Sequence, residues 1–196
     1  MDSNFFALIS RMRYIARWGL MRNALPENIQ EHSHMVAVLA HALGVIRRDI
    51  FHEPCDVNAL ATAALYHDAS EILTGDLPTP IKYHNAEIMS AYHAVEDLAV
   101  QKLLGMLPPE LRATYADVLA EDKGGDIYPL VKAADKLSAY IKCIEERKAG
   151  NNEFLSAEAQ TRAALEASPL PEVQYFLEHF IPAFERDLDE LGAIGQ

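Results

Sequence analysis

Apolar residues in this chain recur at intervals of three and four, the spacing that places them on one face of an α-helix. Between Asn28 and Arg48, for example, this stripe consists of Ile29, Met35, Val36, Leu39, Leu43 and Ile46. Ten prolines and nine glycines separate such segments, and the segments themselves lack the strict alternation that is typical of half-buried strands. The sequence therefore predicts an all-α fold, a single helical bundle.

The breaks in the pattern predict where the helices begin and end. Asp56 is a candidate N-cap, because its carboxylate can accept the unpaired N–H groups of a first helical turn. Pro78 and Pro80 exclude a continuous helix over 75–80 and predict a loop of fixed shape there. The predicted helical segments are 5–17, 28–48, 56–66, 85–106, 109–120, 128–149, 153–167 and 172–191.

Size and charge restrict the class of protein. The chain has 196 residues, of which 50% are apolar and 23% charged, so we expect one globular domain over 1–196. The net charge of −12 argues against binding to polymeric nucleic acid or to an anionic membrane. No apolar stretch approaches the length of a membrane span, no secretory signal is seen, and Cys55 and Cys143 match no metal or disulfide spacing. We therefore expect a cytoplasmic protein.

Ionisable residues interrupt one strongly apolar segment. In the segment 57–71, the positions Leu60, Ala64, His67 and Glu71 lie three or four residues apart, so the apolar stripe continues into a histidine and a glutamate, with Asp68 beside them. Burying a carboxylate is costly unless it is paired or bound to a cation. This segment therefore predicts a positively charged partner.

Two other segments repeat this feature. His32 shares a predicted helix face with Met35 and Leu39, and Asp135 has small and apolar neighbours at helical spacing. Together with His67 and Asp68, three helices can offer two imidazoles and two carboxylates to one interior point. Such a mixed nitrogen and oxygen set suits a divalent transition metal and leaves coordination positions for water or substrate.

Simpler interpretations exist for each of these residues. A lone histidine on an apolar face is usually a hydrogen-bonded core residue, and an adjacent His-Asp pair often arises by chance. Asp135 could be a solvated side chain beside Lys132 and Lys136. The residue pattern alone is therefore compatible with a metal site and with ordinary helix surfaces.

The same residues resemble a known family. The order of a histidine, a His-Asp doublet and a distant aspartate is similar to that of the HD-domain metal-dependent phosphohydrolases. The likeness is closer to the bacterial YfbR-type 5′-deoxynucleotidases and extends from the first predicted helix to the last. The blocks that carry it are 17–22, 27–33, 66–83 and 150–154.

This resemblance implies a function and a set of site residues. Members release phosphate from deoxyribonucleoside 5′-monophosphates with one divalent metal ion, such as Co²⁺ or Mn²⁺, and form homodimers. It implies that the metal ligands are His32, His67, Asp68 and Asp135, of which the two aspartates also border the substrate. It further implies that Arg17 contacts the phosphate, that Trp18 packs on the sugar, and that the nucleotide site is lined by Asp76, Leu77, Pro78 and Thr79.

The chemistry of these residue types agrees with the resemblance. The planar guanidinium of Arg17 suits phosphate oxygens, although a cation at a helix end is otherwise unremarkable. Trp18 could exclude a 2′-hydroxyl, or it could be a core anchor. Glu71, predicted on the same helical turn as His67 and Asp68, could donate or accept a proton, as could Asp76.

Two alternatives follow from the same pattern. HD-type enzymes also hydrolyse cyclic nucleotides, guanosine alarmones and nucleoside triphosphates; the Arg17-Trp18 pair and the 76–79 block favour the monophosphatase. A helical metal-binding regulator without turnover is the second alternative, and the presence of Glu71 and Asp76 argues against it.

Overall fold

Helices account for most of the chain in the computed structural model, which describes residues 2–82, 84–120 and 125–192. The α-helices are α1 (Phe5–Ile9), α2 (Ile29–Asp49), α3 (Val57–Tyr66), α4 (Glu71–Thr74), α5 (Thr79–Lys82), α6 (Ala86–Gly105), α7 (Pro109–Leu119), α8 (Tyr128–Lys148), α9 (Leu155–Glu166) and α10 (Pro171–His179). Short 3-10 helices span Ser10–Tyr14, Asn152–Phe154 and Ile181–Glu185. The described ranges contain no β-strand, which confirms the predicted all-α fold.

Polar side chains begin three of the longer helices. Asn28 Oδ1 accepts hydrogen bonds from the N–H groups of residues 30 and 31 at the start of α2, both at 3.1 Å. Asp56 Oδ1 caps α3 in the same way, as predicted, at 3.1 and 2.9 Å. Asn85 Oδ1 accepts from Ile88 N at 2.8 Å and caps α6. These bonds satisfy donors that the helices cannot pair internally.

The main core surrounds α2, which packs against α3 and α8. Leu43, Leu60, Leu130 and Leu137 are fully buried in it. The helices α2 and α3 approach closely at Gly44, where a Cβ atom would lie 2.9 Å from Leu60 Cδ2. At the other end of this helix pair, His32 of α2 lies beside His67, which follows α3, with ring centroids 5.3 Å apart.

A smaller apolar cluster holds the other end of the bundle. Phe5 of α1 is fully buried and contacts the ring of Tyr115 on α7, with ring centroids 5.0 Å apart. Ala69, Leu103 and Leu119 belong to the same cluster. Through Ala69, this cluster anchors the turn that follows His67 and Asp68.

The last predicted helix, 172–191, is wrong in its second half. α10 ends at His179, and Ile181–Glu185 forms a 3-10 helix instead. Pro182 explains the break, because it has no N–H group to donate to residue 178 and its ring clashes with that carbonyl.

Two further boundaries differ from the prediction. The first segment, predicted as one helix over 5–17, changes to a 3-10 helix after Ile9 and is extended by Ile15. The predicted loop over 75–80 is shorter, because α5 begins at Thr79 with Pro80 in its first turn. Proline is tolerated there since first-turn N–H groups have no intrahelical partner.

A buried ionic network fastens the segment between α1 and α2. The Glu146 carboxylate on α8 is fully buried and accepts hydrogen bonds from Ala24 N (2.9 Å), Leu25 N (3.0 Å) and Asn151 Nδ2 (2.8 Å). Lys142 Nζ lies 2.5 Å from the same carboxylate and also donates to the Leu25 carbonyl. One carboxylate thus holds a segment more than a hundred residues away in sequence.

Helix α6 keeps an apolar stripe on its outer side. Ile88, Ala91, Val95 and Leu98 are spaced by three and four residues, and Val95 and Leu98 are 49% and 63% exposed. Within the described ranges, no helix combines the length and the apolar character needed to cross a bilayer.

Candidate metal and phosphate site

Three helices bring histidine and aspartate side chains together in the interior. His32 of α2 is fully buried, His67 directly follows α3, and Asp135 lies on α8. One ligand atom from each lies within 4.8 Å of the other two. His32 Nε2 is 3.0 Å from Asp135 Oδ1, a contact that joins α2 to α8.

Both imidazoles are oriented with Nε2 toward this centre. His67 Nδ1 donates to the Ala64 carbonyl oxygen at 2.7 Å, and His32 Nδ1 lies 3.2 Å from Ser138 Oγ. The two Nε2 atoms are buried and, among the described residues, have no partner in hydrogen-bonding geometry. A lone pair on Nε2, fixed by a hydrogen bond at Nδ1, is the arrangement of a metal-binding histidine. The donor set therefore fits a divalent metal ion.

Asp68 lies between the imidazoles and a cation. Its Oδ2 atom is 3.1 Å from His67 Nε2, 3.5 Å from His32 Nε2 and 3.4 Å from Arg17 Nη1. Burial alone would raise the pKa of Asp68, but the charges of His67, His32 and Arg17 lower it far below its usual value. Asp68 is therefore an anion, which is the form that binds a metal ion.

For Asp135 and His67, too, burial and neighbouring charged groups shift the pKa in opposite directions. Burial would raise the pKa of Asp135, but the His32 imidazole, whose Nε2 atom is 3.0 Å away, lowers it well below its usual value. Burial would lower the pKa of His67, and the charge of Asp68 raises it instead. The carboxylates thus supply negative charge that attracts a proton or a metal ion to the imidazoles.

Arg17 and Trp18 are fixed at the edge of this centre by one carboxylate. Arg17 Nε donates to Glu27 Oε2 at 3.1 Å, and the indole N–H of Trp18 donates to the same oxygen at 2.9 Å. The Arg17 side chain is 13% exposed, and burial would lower its pKa, but the charges of Asp68, Asp135 and Glu27 raise it. Arg17 is therefore a permanent cation beside Asp68 and Asp135.

Trp18 has an unusual backbone conformation. Its φ is 58°, in the left-handed region that residues with a Cβ atom adopt only at a cost. Its ring packs on Phe154, with centroids 5.2 Å apart and an interplanar angle of 60°. Backbone strain of this kind clusters at functional sites, where the surrounding structure maintains it.

Glu71 lies on a different helix from the one that the sequence predicted. The helix does not run through 67–71; α3 ends at Tyr66, and Glu71 begins the separate short helix α4. Its side chain is 6% exposed, and its Oε2 atom has no hydrogen-bond partner among the described residues. Burial, together with the charges of Asp68 and Asp76, raises the pKa of Glu71 to about 10. Glu71 is thus a buried carboxyl group that holds a proton at neutral pH.

The loop before α5 contains the remaining predicted residues. Asp76, Leu77 and Pro78 are half-buried. Burial raises the pKa of Asp76, although the charge of Arg17 and the backbone N–H of Trp18 oppose this. The side chain of Thr79 lies outside the part of the chain that the structure describes.

Two residues that contact this site were not predicted from the sequence. Glu27 precedes a helix, where an acidic residue is common, and only its place in a block that resembles the family could have drawn attention to it. Ser138 follows Asp135 by three residues and therefore lies on the same face of α8, which is a usable signal.

Comparison with known proteins places the chain among its relatives. Residues 4–184 match the family described as 5′-deoxynucleotidase YfbR-like. The 5′-deoxynucleotidases YfbR of Shigella boydii and of Escherichia coli are each 50% identical over 192 residues, which cover 97% of this chain and 96% of theirs.

Solved structures with the same architecture extend this comparison. An HD-domain phosphohydrolase from Listeria innocua superimposes with a TM-score of 0.82 at 24% identity, over 94% of this chain and 90% of that one. The HD phosphohydrolase DatZ of cyanophage S-2L, bound to dA and one catalytic Zn²⁺ ion, gives 0.59 at 25% identity, over 97% and 99%. The chain has an HD-domain fold, and it belongs to the YfbR-like 5′-deoxynucleotidase family.

Proposed function

We propose that this protein hydrolyses deoxyribonucleoside 5′-monophosphates to the deoxynucleoside and inorganic phosphate. The observation that carries the proposal is the convergence of His32, His67 and Asp135, with Asp68 beside them, on one buried point next to Arg17. Membership in the YfbR-like family supports the same reaction and the same substrate class.

The metal ligands in this proposal are His32, His67, Asp68 and Asp135. Two imidazoles and two carboxylates accept several divalent transition metals, and we propose Co²⁺ or Mn²⁺ as effective ions. A bound ion supplies positive charge for the phosphoryl oxygens and a water molecule acidic enough to attack phosphorus near neutral pH. The Zn²⁺ ion of the cyanophage enzyme supports this type of centre.

Arg17 binds the phosphate in this proposal. Its Nε atom is held by Glu27 and its Nη1 atom lies near Asp68, so the Nη2 end of the guanidinium can turn toward phosphate oxygens. A planar cation with fixed orientation suits two phosphate oxygens at once. Asp68 and Asp135 border the same substrate position.

Sugar selection is assigned to Trp18 and to the 76–79 loop. A rigid indole against C2′ would leave no room for a 2′-hydroxyl, whereas an apolar wall alone rejects an added hydroxyl by only about a hundredfold. The nucleotide would lie between Trp18 and the loop residues Asp76, Leu77, Pro78 and Thr79.

In this proposal, Glu71 or Asp76 donates the proton that the leaving group needs. When water attacks phosphorus, the P–O5′ bond breaks and the leaving O5′ atom needs a proton. Burial and neighbouring anions raise the pKa of both carboxyl groups, that of Glu71 to about 10, so Glu71 can carry that proton near neutral pH. The stronger effect at Glu71 favours it as the donor.

Assembly, domain extent and location complete the proposal. The stripe on α6, in which Val95 and Leu98 are largely exposed, supports a homodimer. The family match over 4–184 supports a single domain over 1–196. The free thiols of Cys55 and Cys143 are the form expected in the reducing cytoplasm.

Phosphate release from a nucleotide panel tests the function. Metal-stripped protein is loaded with Co²⁺, Mn²⁺ or Mg²⁺ and incubated with deoxy- and ribonucleoside 5′-mono- and triphosphates, with a 3′-monophosphate as control. We expect release from the deoxy 5′-monophosphates only, and loss of that activity in Asp68→Ala. No release from any 5′-monophosphate with any metal would disprove the proposal, and equal rates on deoxy and ribo substrates would remove the role of Trp18.

A further inference from the structure

One oxygen atom of Glu27 accepts hydrogen bonds from Arg17 and Trp18, the residues that contact the phosphate and the sugar in the proposed function. Arg17 Nε donates to Oε2 at 3.1 Å, and Trp18 Nε1 donates to the same atom at 2.9 Å. The Glu27 side chain is 15% exposed, so the contact is largely shielded from water. Charged acceptors form the stronger hydrogen bonds of proteins, and shielding strengthens them further.

The backbone of Glu27 is itself firmly placed. Its carbonyl oxygen accepts a hydrogen bond from Arg17 N at 3.0 Å, and Ala16 and Asn28 form an antiparallel bridge next to it. Asn28 in turn caps α2, the helix that carries His32. Glu27 therefore connects Arg17 and Trp18 to the most buried part of the metal cluster.

Trp18 needs such a connection more than most residues do. Its φ of 58° is unfavourable for a side chain of this size, so other contacts must maintain the conformation. Met21 N donates to the Trp18 carbonyl oxygen at 2.8 Å, which fixes the backbone. The bond from the indole N–H to Glu27 is the polar contact that fixes the ring.

We propose that Glu27 is a positioning residue that holds Arg17 and Trp18 as one unit. Its carboxylate sets both the direction of the guanidinium toward the phosphate and the plane of the indole against the sugar. Binding of the phosphate and rejection of the 2′-hydroxyl therefore depend on the same side chain. This inference rests on the proposed function for its substrate, but the geometry of Trp18 can be measured without turnover.

Two substitutions separate the parts of this role. Glu27→Ala removes the acceptor from both donors, so KM for a deoxynucleoside 5′-monophosphate should rise about tenfold or more, while kcat changes less. The preference for deoxy over ribo substrate should fall by a similar factor. Glu27→Gln keeps a carbonyl oxygen for the indole N–H but removes the charge that faces Arg17. It should raise KM severalfold and largely retain the sugar preference.

The experiment combines steady-state kinetics with tryptophan fluorescence. Trp18 is the only tryptophan of the chain, so emission wavelength and acrylamide quenching report on this ring alone. Glu27→Ala should shift the emission to the red and increase quenching, whereas Glu27→Gln should stay near the wild type. Glu158→Ala is the matched control, because Glu158 also accepts from an arginine Nε, at 2.9 Å, with a side chain 16% exposed. It should leave KM, the sugar preference and the emission unchanged.

The measurements on the Glu27 variants either support or overturn its role as a positioning residue. Wild-type KM, sugar preference and emission in Glu27→Ala would overturn the inference, as would a fall in kcat with the other values unchanged. Thermal unfolding of each variant, followed by circular dichroism, shows whether it is folded, and Glu27→Gln provides the comparison if Glu27→Ala is not. If the wild-type protein releases no phosphate from any nucleotide, the proposed function fails, while the fluorescence of the variants still decides whether Glu27 holds Trp18.

Discussion

Ser138 Oγ lies 3.2 Å from His32 Nδ1, so a hydroxyl on α8 orients an imidazole on α2. The ring is fully buried, and its other nitrogen points to the metal cluster. Groups that orient a histidine ligand in this way also tune its affinity for the metal. The role of this contact can therefore be tested by measuring metal affinity without turnover.

Substitution of this hydroxyl should weaken metal binding. Ser138→Ala leaves the Nδ1 atom of His32 without its partner, and the metal affinity should fall by about ten- to a hundredfold. Competition with a coloured chelator measures the affinity. Ser156→Ala, an exposed serine on α9, is the control and should bind metal as the wild type does. Unchanged affinity in Ser138→Ala would show that the hydroxyl does not orient the ligand.

Glu71 should affect turnover without affecting metal content. Glu71→Gln retains the shape of the side chain but cannot donate the proton that the leaving oxygen requires, so kcat should fall by about a hundredfold or more. Elemental analysis of the purified variant should give the metal content of the wild type. Glu110→Gln, at an exposed position of α7, is the control for the loss of one carboxylate. Loss of metal in Glu71→Gln would instead make Glu71 a ligand.

The buried network at Glu146 predicts how stability depends on pH. Burial would raise the pKa of Glu146, but hydrogen bonds from Lys142 and Asn151 and from backbone N–H groups lower it from 4.5 to about 2. A carboxyl group with a lowered pKa in the folded state stabilises the fold above pH 4.5, and this contribution is lost as the pH falls toward 2. The shift corresponds to about 3 kcal/mol of unfolding free energy.

Urea unfolding of wild-type protein and Glu146→Gln at pH 7, 4 and 3 measures this effect. The variant should be less stable at pH 7, because Lys142 keeps its charge in a buried place without a counterion. The difference between the two proteins should shrink as the pH falls. Glu166→Gln, which removes an exposed ion pair with Arg162, should follow the wild type at each pH. A constant difference for Glu146→Gln would contradict the predicted pKa.

The close approach of α2 and α3 can be tested at a glycine. Gly44→Ala places a methyl group 2.9 Å from Leu60 Cδ2 and 3.3 Å from Cys55 Sγ, and we expect a loss of about 1–3 kcal/mol in unfolding free energy. Gly105→Ala, where a Cβ atom meets nothing within 4 Å, is the matched control and should be neutral or stabilising. Equal stability of the two variants would show that the helices separate at no cost.

The stripe on α6 predicts the state of association. Leu98→Glu places a charge on an apolar side chain of the stripe that is 63% exposed, and it should convert a dimer to a monomer without changing the helix content. Light scattering coupled to gel filtration gives the mass, and circular dichroism gives the helix content. Glu87→Lys, a charge change in the first turn of the same helix, is the control. A dimer that persists in Leu98→Glu would place the interface elsewhere.

Most helices could be predicted because each is bounded by signals that act locally. Asp56 and Asn85 cap helices that begin where the sequence indicates, and Gly150, with a φ of 83°, follows the end of α8. The helix predictions are wrong at two places where the apolar spacing continues but the α-helix does not. Pro182 ends the final helix, and turns with hydrogen bonds between residues three apart replace the α-helix at 67–70, although the apolar spacing continues to Glu71.

The site was harder to predict from the sequence than the helices were, because its contacts join residues far apart in the chain. The periodicity assigned His32, His67 and Asp135 to interior faces, and the structure brings these three together. Periodicity has no bearing on Glu27, since it lies outside a helix and acts through a bond to Trp18. The left-handed conformation of Trp18 was likewise unpredictable, because nothing in its type favours that region.

The distribution of the cluster along the chain has a consequence for biosynthesis. His32 and Asp135 are separated by about half of the chain, and their contact requires α2 and α8 to be packed together. A nascent chain from which α8 has not yet emerged carries His32, His67 and Asp68 but lacks Asp135. The full ligand set therefore forms only when α8 packs on α2, and an ion bound to that set would stabilise the folded bundle over the unfolded chain.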